Sequence, residues 1–215
     1  MRVSANKLAE KIVLLKSTQF DLLRHGEPEL KGVYLGHTDS ELSEQGMRDS
    51  LTAIEHNPGW DLVVSSPLQR CRYIAETVSQ RLGLNLLILD QLQEYNFGEW
   101  DGQRFEAVYA QQSHLADNFW LDPEANPPPS GELVADFSSR VRAAKTQLLA
   151  RDEKRILIVT HGGVIRAMVA DLLDIKPQYW GRIKVDYAYF TQLRFDADLE
   201  HSWPQLISSN VKSPI

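Results

Sequence analysis

Short apolar segments alternate with longer segments of helical periodicity along this chain of 215 residues. The apolar segments predict strands at about 18–24, 61–65, 85–89, 155–160 and 185–196. Between them, apolar positions at helical spacing predict helices at about 43–56, 67–82, 103–121, 132–150 and 163–173. This alternation is typical of a mainly parallel sheet with helices on both faces. We therefore predict an α/β fold, a three-layer α/β/α sandwich.

The same pattern predicts one domain with two short flanks. A chain of this length suits a single domain, which we assign to residues 18–208. Residues 1–17 are predicted as an N-terminal extension, whose apolar run 12–15 is too short for a secretion signal or a membrane span. Residues 209–215 are predicted as a loose tail.

A proline-rich break interrupts the pattern before the fourth predicted strand. Four prolines lie between residues 122 and 131, and such a segment cannot form regular structure. We interpret it as part of an insertion at about 91–131. Insertions over the carboxyl edge of a sheet often carry substrate contacts, so we expect this one to lie over the active site.

The net charge and the cysteine content exclude several classes of function and of structural site. The net charge of −6 argues against a general nucleic-acid or membrane-surface binder, so we expect neither as a partner. Cys71 is the only cysteine, which excludes an internal disulfide and a cysteine zinc cluster. A single cysteine is compatible with the reducing cytoplasm, where we expect the protein.

Two predicted strands end in a histidine followed by a glycine. One runs into Arg24-His25-Gly26, the other into His161-Gly162-Gly163. Ligands of open α/β sheets bind outside the carboxyl ends of strands, and glycine lets the backbone turn close to a ligand. A lone histidine is more often a structural residue or a helix cap, but two in equivalent positions favour a site.

Two further segments add the charges that such a site needs. The strand at about 61–65 leads into a helix whose first turn presents Arg70, and helix N-termini favour anions. On an isolated reading, Arg70 is equally a surface charge of that helix. A glycine-broken aromatic loop then carries the acids Glu94, Glu99 and Asp101.

Two arginines, two histidines and one acid suit phosphoryl transfer. Arginine forks stabilise the charge that spreads over the phosphoryl oxygens. A neutral histidine is a nitrogen nucleophile when its other ring nitrogen donates to a backbone carbonyl. A carboxyl group protonates the leaving oxygen and then activates water. Because the arginines neutralise the charge, we expect no metal and no cofactor.

The ordered motifs resemble the histidine phosphatase superfamily, also called phosphoglycerate-mutase-like, from about residue 19 to 196. The signature is Leu23-Arg24-His25-Gly26-Glu27. The match continues through Gly36-His37-Thr38-Asp39, Leu42-Ser43-Glu44-Gln45-Gly46, Ser65-Ser66-Pro67-Leu68-Gln69-Arg70, the loop 92–102 and Val159-Thr160-His161-Gly162-Gly163-Val164-Ile165-Arg166. The resemblance implies a phosphoglycerate-mutase-like fold and a small phosphate ester as substrate.

The resemblance also implies residue roles. His25 looks like the phosphorylated nucleophile, and Glu94 looks like the proton donor, with Glu99 as the weaker alternative. Gly162 offers its backbone N–H to the phosphate. The phosphate clamp comprises Arg24, Arg70 and His161.

One position departs from the family pattern. Many members carry an asparagine that contacts phosphate six residues after the nucleophile, where this chain has Lys31 in a shortened loop. A lysine meets phosphate as a point charge, although a solvated loop lysine is an equal reading. Tyr34 and His37 are predicted to supply part of the lost contact.

Within the family, the chain looks most like the branch that hydrolyses α-ribazole 5'-phosphate in cobalamin nucleotide-loop assembly. The cues are the short loop into Tyr34-Leu35-Gly36-His37, the stretch Phe97-Gly98-Glu99-Trp100 and the segment Val185-Asp186-Tyr187. That substrate carries a planar base. The aromatic residues that could stack on it, or fill the core of the insertion instead, are Phe105, Tyr109, Phe119 and Trp120.

Three alternatives stay open from the sequence. One is a small-molecule phosphatase of broad specificity. Another is a phosphoglycerate mutase, which needs more cations in its pocket than Lys31 and Arg104 provide. The third is a non-catalytic phosphate-binding module, against which the intact His25, Glu94 and His161 argue. The oligomeric state is open as well, a dimer included.

Overall fold

A six-stranded sheet forms the centre of the computed structural model, which describes residues 16–198 and 200–214. Its strands are β1 Lys16–Arg24, β2 Leu62–Ser65, β3 Leu86–Ile88, β4 Arg155–Thr160, β5 Phe190–Ala197 and β6 Ser202–Val211. The helices of the described residues are α1 Glu44–Ala53, α2 Gln69–Leu82, α3 Phe105–Leu121, α4 Val134–Leu149 and α5 Gly162–Leu173. None of these helices is both long enough and apolar enough to span a bilayer.

The strand order is β3-β2-β4-β1-β5-β6. The first four strands pair in parallel, and β5 and β6 add an antiparallel edge. Arg24 pairs in register with Thr160, and Ser65 with Val159. The carboxyl ends of β1, β2 and β4 therefore meet at one edge, so the residues that follow them are neighbours in space.

The sheet is covered on both faces, and successive strand residues face opposite layers because strand side chains alternate. In β1, Leu22 packs with the helices α3, α4 and α5, whereas Leu23 packs with α1 and α2. Both leucines have no solvent exposure. Burying such a side chain contributes about 1.5–3 kcal/mol. The predicted three-layer α/β/α sandwich is confirmed.

The predicted flanks need correction at both ends. Lys16 and Ser17, assigned to an N-terminal extension, are the first residues of β1 and pair with β5. The rest of that extension, residues 1–15, lies outside the described residues. At the other end, β6 was not predicted, and Val211 pairs with Phe190. The predicted tail at 209–215 therefore begins too early, since residues 209–211 belong to β6.

The segment predicted as an insertion, 91–131, packs closely on the domain. It contains a 3₁₀ turn at Gly98–Trp100 and the helix α3. Trp100, Val108 and Phe119 bury their side chains in the core cluster that includes Phe20 of β1. The loop before this 3₁₀ turn carries Glu94, so its path decides where that carboxyl group lies.

Candidate active site

Three strand ends bring His25, Ser66 and His161 together. His25 follows β1, Ser66 follows β2, and His161 follows β4. The ring centroids of the two histidines lie 5.2 Å apart, and both side chains are buried. The repeated strand-histidine-glycine pattern thus places two imidazole rings side by side.

Backbone contacts fix the ring of His25. Its Nδ1 lies 2.6 Å from the carbonyl oxygen of Gly26. Because a carbonyl only accepts, Nδ1 carries the hydrogen and Nε2 keeps its lone pair. Burial lowers the pKa of His25 well below its usual range, and the charges of Arg70 and Arg24 lower it further. The ring is therefore neutral near neutral pH, with Nε2 free to act as a nucleophile.

Gly26 is required by the packing at this turn. A Cβ atom on Gly26 would collide with the carbonyl oxygen of Gly46 in α1. The reverse also holds, since a Cβ on Gly46 would collide with the backbone of Glu27. The two glycines let the turn after β1 press against the start of α1, which keeps the Gly26 carbonyl at His25 Nδ1.

Side chains hold the ring of His161. This residue immediately precedes α5, and its Nε2 lies 2.8 Å from the hydroxyl of Ser66. The Sγ of Cys71 lies 3.5 Å from the same nitrogen. Burial lowers the pKa of His161 well below its usual range, with Arg70 and His25 as further causes. The adjoining N–H groups of the first α5 turn face the site, where helix N-termini favour anions.

Two arginines flank the histidines, and each keeps a free donor. Arg24 donates from Nη1 to the carbonyl of Val185 at 2.5 Å. Arg70 is fully buried and donates to the carbonyls of Thr38 and Gly36 at 2.9 and 2.7 Å. The Nε atoms of both arginines are buried without a hydrogen-bond partner among the described residues. Buried charged donors without partners are costly, so this pair is suited to receive an anion.

Glu94 lies at the start of α5, beside the residues after β4. Its Oε2 accepts from the backbone N–H of Gly163 at 3.0 Å, and its Oε1 accepts from that of Tyr95 at 2.9 Å. Glu99, the weaker alternative, is exposed, and its carboxylate accepts from the hydroxyl of Ser130. Only the first of these acids therefore adjoins His161-Gly162.

Gly162 is the first residue of α5 and lies against Arg24. A Cβ on Gly162 would lie 3.4 Å from Cζ of that arginine and closer still to Arg166. A Cβ here would be in van der Waals contact with Arg24 and would require the flexible end of Arg166 to shift. The backbone of the helix N-terminus and the Arg24 guanidinium group are therefore close neighbours.

The three remaining candidates have other partners. Lys31 forms an exposed ion pair with Glu27 at 2.6 Å. His37 donates from Nε2 to the backbone carbonyl of Glu94 at 3.0 Å. Tyr34 is 1% exposed and lies in an aromatic cluster of the core. Its ring packs against Phe97, Trp100 and Phe105, and its phosphate contact stays a prediction.

Sequence reasoning assigned no role to Tyr187, which lies over the site. Its ring centroid is 3.8 Å from Cζ of Arg24 and 5.5 Å from the ring of His25. With 40% of its surface exposed, it forms part of the site entrance, and its face stabilises the guanidinium group by a cation–π contact. The only signal was its place in the segment 185–187, next to β5.

Comparison with known proteins assigns the chain to a family. The sequence profile of the histidine phosphatase superfamily (branch 1) matches residues 20–202. The chain belongs to this superfamily. The resemblance predicted from the motifs is thereby confirmed at the level of the superfamily, and the protein is a histidine phosphatase.

Individual relatives of this histidine phosphatase carry different names. A Hydrogenobacter thermophilus protein provisionally named phosphoserine phosphatase 2 is 30% identical over 82% of this chain and 89% of its own. The adenosylcobalamin/alpha-ribazole phosphatase of Salmonella typhimurium is 32% identical over 72% of this chain and 79% of its own. The names agree on phosphate-ester hydrolysis and differ in the ester.

A solved relative has the same architecture. Mycobacterial glucosyl-3-phosphoglycerate phosphatase superposes with a TM-score of 0.79 over 91% of this chain and 99% of its own, at 26% identity. A second structure of that mycobacterial enzyme contains inorganic phosphate. Among the residues described here, no group of three or more His, Cys, Asp or Glu side chains is arranged to hold a metal ion.

Proposed function

We propose that this histidine phosphatase hydrolyses phosphate monoesters through a phosphohistidine on Nε2 of His25. The observation that carries the proposal is the fixed tautomer of a buried, neutral ring. The charges of Arg24 and Arg70 act on this ring, and the Nε donors of both guanidinium groups are unpartnered among the described residues. A nucleophile and an anion clamp are thus provided in one place.

In the first step, Nε2 of His25 attacks phosphorus, and the bond from phosphorus to the ester oxygen breaks. Glu94 in its acid form gives its proton to the departing oxygen, so the alcohol leaves neutral. The product is a phosphorylated His25 and a Glu94 carboxylate. The position of Glu94 at the α5 N-terminus, 3.0 Å from the Gly163 amide, supports this role.

In the second step, the Glu94 carboxylate takes a proton from water, whose oxygen attacks phosphorus. The bond between nitrogen and phosphorus breaks, inorganic phosphate leaves, and Glu94 is an acid again. Both steps pass through a phosphoryl group whose oxygens carry spread charge. We assign their stabilisation to the donors of Arg24, Arg70 and His161 and to the backbone N–H of Gly162.

His161 changes its preferred charge when phosphate binds. In the free enzyme, burial and Arg70 keep the pKa of His161 low. A dianion beside the ring favours the protonated form, because an opposite charge raises the pKa of a histidine. The ring then donates to the phosphoryl oxygens, so we expect proton uptake on phosphate binding.

For the physiological ester we propose α-ribazole 5'-phosphate. The Salmonella relative with that name and the short loop before Tyr34 support it. Phe105, Tyr109 and Trp120 in α3 each expose 37–55% of their surface, which leaves them able to stack on a planar base. Phe119 is buried and belongs to the core instead.

The experiment compares kcat/KM across esters that the relatives suggest. The panel contains α-ribazole 5'-phosphate, O-phosphoserine, glucosyl-3-phosphoglycerate, 3-phosphoglycerate and 4-nitrophenyl phosphate. A preference of about a hundredfold, nearly 3 kcal/mol of transition-state discrimination, supports α-ribazole 5'-phosphate. Equal values across the panel contradict it and favour broad specificity. Isomerised phosphoglycerate without free phosphate would favour the mutase alternative.

A further inference from the structure

The loop that carries Glu94 is held by a side chain from a different helix. Arg140 of α4 donates to three backbone carbonyls in this loop and just before it, at distances of 2.7–2.8 Å. The acceptors are the backbone carbonyls of Gln91, Gln93 and Glu94. One guanidinium group thus binds the backbone on both sides of Gln93.

Glu132 accepts the remaining hydrogen bonds of the Arg140 guanidinium group. Its two carboxylate oxygens accept from Nε and Nη2 at 2.7 and 2.9 Å. Side-chain exposure is 19% for Arg140 and 14% for Glu132. Burying an ion pair is unfavourable unless further hydrogen bonds satisfy both partners. Here they are satisfied by the loop carbonyls, so the ion pair and the loop conformation depend on each other.

This loop has no strand ladder to fix its path. Residues 93–97 lie between two short 3₁₀ turns and belong to no strand. Its carbonyls need partners, because buried backbone groups are almost always paired. Arg140 is the partner of two of them, those of Gln93 and Glu94, and also of the Gln91 carbonyl just before the loop. His37 adds a second donor to the carbonyl of Glu94 at 3.0 Å.

The position of the Glu94 carboxylate depends on the position of the Glu94 backbone. Arg140 and His37 hold the Glu94 carbonyl, while the amides of Gly163 and Tyr95 hold the carboxylate. A shift of the loop would move the carboxyl group away from the α5 N-terminus. Misplacing a reacting group by about 1 Å can lower a rate a hundredfold.

We propose that Arg140, braced by Glu132, is the positioning residue that sets the efficiency of proton donation by Glu94. The inference rests on the proposed acid role of Glu94. It predicts that Arg140 matters when the leaving group needs a proton and matters little when it does not. A merely structural role would lower both activities together.

The test uses two substrates of similar size. Phosphoryl transfer from 4-nitrobenzyl phosphate expels a strongly basic alkoxide, which needs a proton, whereas transfer from 4-nitrophenyl phosphate expels a stable phenolate. The value of kcat/KM reports steps only up to the first irreversible one, here transfer to His25. Glu94's second role, in activating water, therefore does not enter the comparison. The variants are Glu94→Gln, Arg140→Lys and Glu132→Gln.

Arg142→Lys is the matched control. Arg142 lies on the same helix, is 58% exposed and pairs with Asp171, so its change to lysine should leave both kcat/KM values unchanged. For Arg140→Lys we expect a loss of about thirtyfold or more with the benzyl ester and less than threefold with the phenyl ester. Glu132→Gln should lose about tenfold with the benzyl ester alone.

Chemical rescue adds a second measurement, because guanidinium ion would not restore activity to a misfolded variant. Guanidinium ion at millimolar concentration should restore several-fold benzyl activity to Arg140→Ala, since it can occupy the vacated cavity. Should Arg140→Ala fail to fold, Arg140→Lys and Glu132→Gln still carry the test through their substrate selectivity.

Failure of the positioning role of Arg140 can be distinguished from failure of the acid role of Glu94. A Glu94→Gln variant that discriminates between the esters, beside Arg140→Lys and Glu132→Gln variants that lose both activities equally or neither, overturns the positioning role alone. A Glu94→Gln variant with equal losses on both esters overturns the proposed acid, and the role of Arg140 falls with it.

Discussion

The ends of β1 and β4 share a sequence design and differ in what holds the histidine. Both strands run directly into His-Gly, and Arg24 pairs in register with Thr160. After β1, the main-chain carbonyl of Gly26 binds the imidazole. After β4, the side chains of Ser66 and Cys71 lie against it.

The difference separates two kinds of chemistry. A carbonyl fixes the tautomer, because it can only accept, and leaves His25 one basic nitrogen for attack. A hydroxyl both donates and accepts, so the ring of His161 can change its proton without losing this partner. The first arrangement suits a nucleophile and the second suits a donor that becomes charged when phosphate arrives.

The largest effect is expected at the β1 end. His25→Ala removes the nucleophile, and kcat for 4-nitrophenyl phosphate should fall at least about a thousandfold. Binding of inorganic phosphate, followed by calorimetry, should persist because Arg24, Arg70 and His161 remain. His56→Ala, which changes an exposed histidine, is the control. Substantial turnover in His25→Ala would reverse the roles of the two strand ends.

A smaller effect is expected at the β4 end. His161→Gln keeps a donor of similar reach and removes the positive charge that stabilises the transition state, so kcat should fall about a hundredfold. A phosphoenzyme should still form in a single turnover. Its complete absence in this variant, with His25 intact, would contradict the assignment of His161 as a donor.

Ser66→Ala tests how the second ring is held. The substitution deletes the hydroxyl 2.8 Å from His161 Nε2 and should lower kcat about tenfold or less, because the ring remains packed. Ser65→Ala is the matched control, since Ser65 is equally buried and donates to the Ser66 carbonyl instead. Equal losses in both variants would contradict the contact's role in orienting His161.

The smallest expected effect is on the pH dependence of the free energy of unfolding. Burial lowers the pKa of both His25 and His161 below the ordinary value of 6.5. As pH falls through that value, the unfolded chain takes up protons that the folded chain does not. The free energy of unfolding should therefore decrease as the pH is lowered below this value, by about 1.4 kcal/mol per pH unit for each histidine.

Urea unfolding between pH 7.5 and 5.5 measures this slope. The double variant His25→Ala/His161→Gln should show a flatter dependence than the parent protein, because the remaining histidines are common to both. Identical slopes would show that the two rings are not buried in their neutral forms.

The sequence was sufficient for the features that depend on local pattern. The strand ends of β1, β2 and β4, the first turn of α2 with Arg70 and the three-layer fold all follow from apolar runs and their glycine or helix-start signals. Parallel pairing then brings those ends together without any further information.

Features that depend on distant packing were missed. β6 has no apolar run, since it is a largely exposed edge strand that contains Pro204. Tyr34 packs in an aromatic cluster with residues distant in sequence, including Phe105 and Trp120 of α3. Arg140 was predicted only as part of a helix, because its contacts lie 46–49 residues away in sequence. No local pattern reports such long-range contacts.

Identification of the phosphorylated residue tests the central claim most directly. In Glu94→Gln, 4-nitrophenyl phosphate should transfer its phosphoryl group without needing an acid, and the intermediate should accumulate because the base for its hydrolysis is gone. Quenching in alkali and mapping the peptides should then place the added phosphate on His25, in a form that acid removes. Phosphate on His161, or on a serine in an acid-stable ester, would contradict the account.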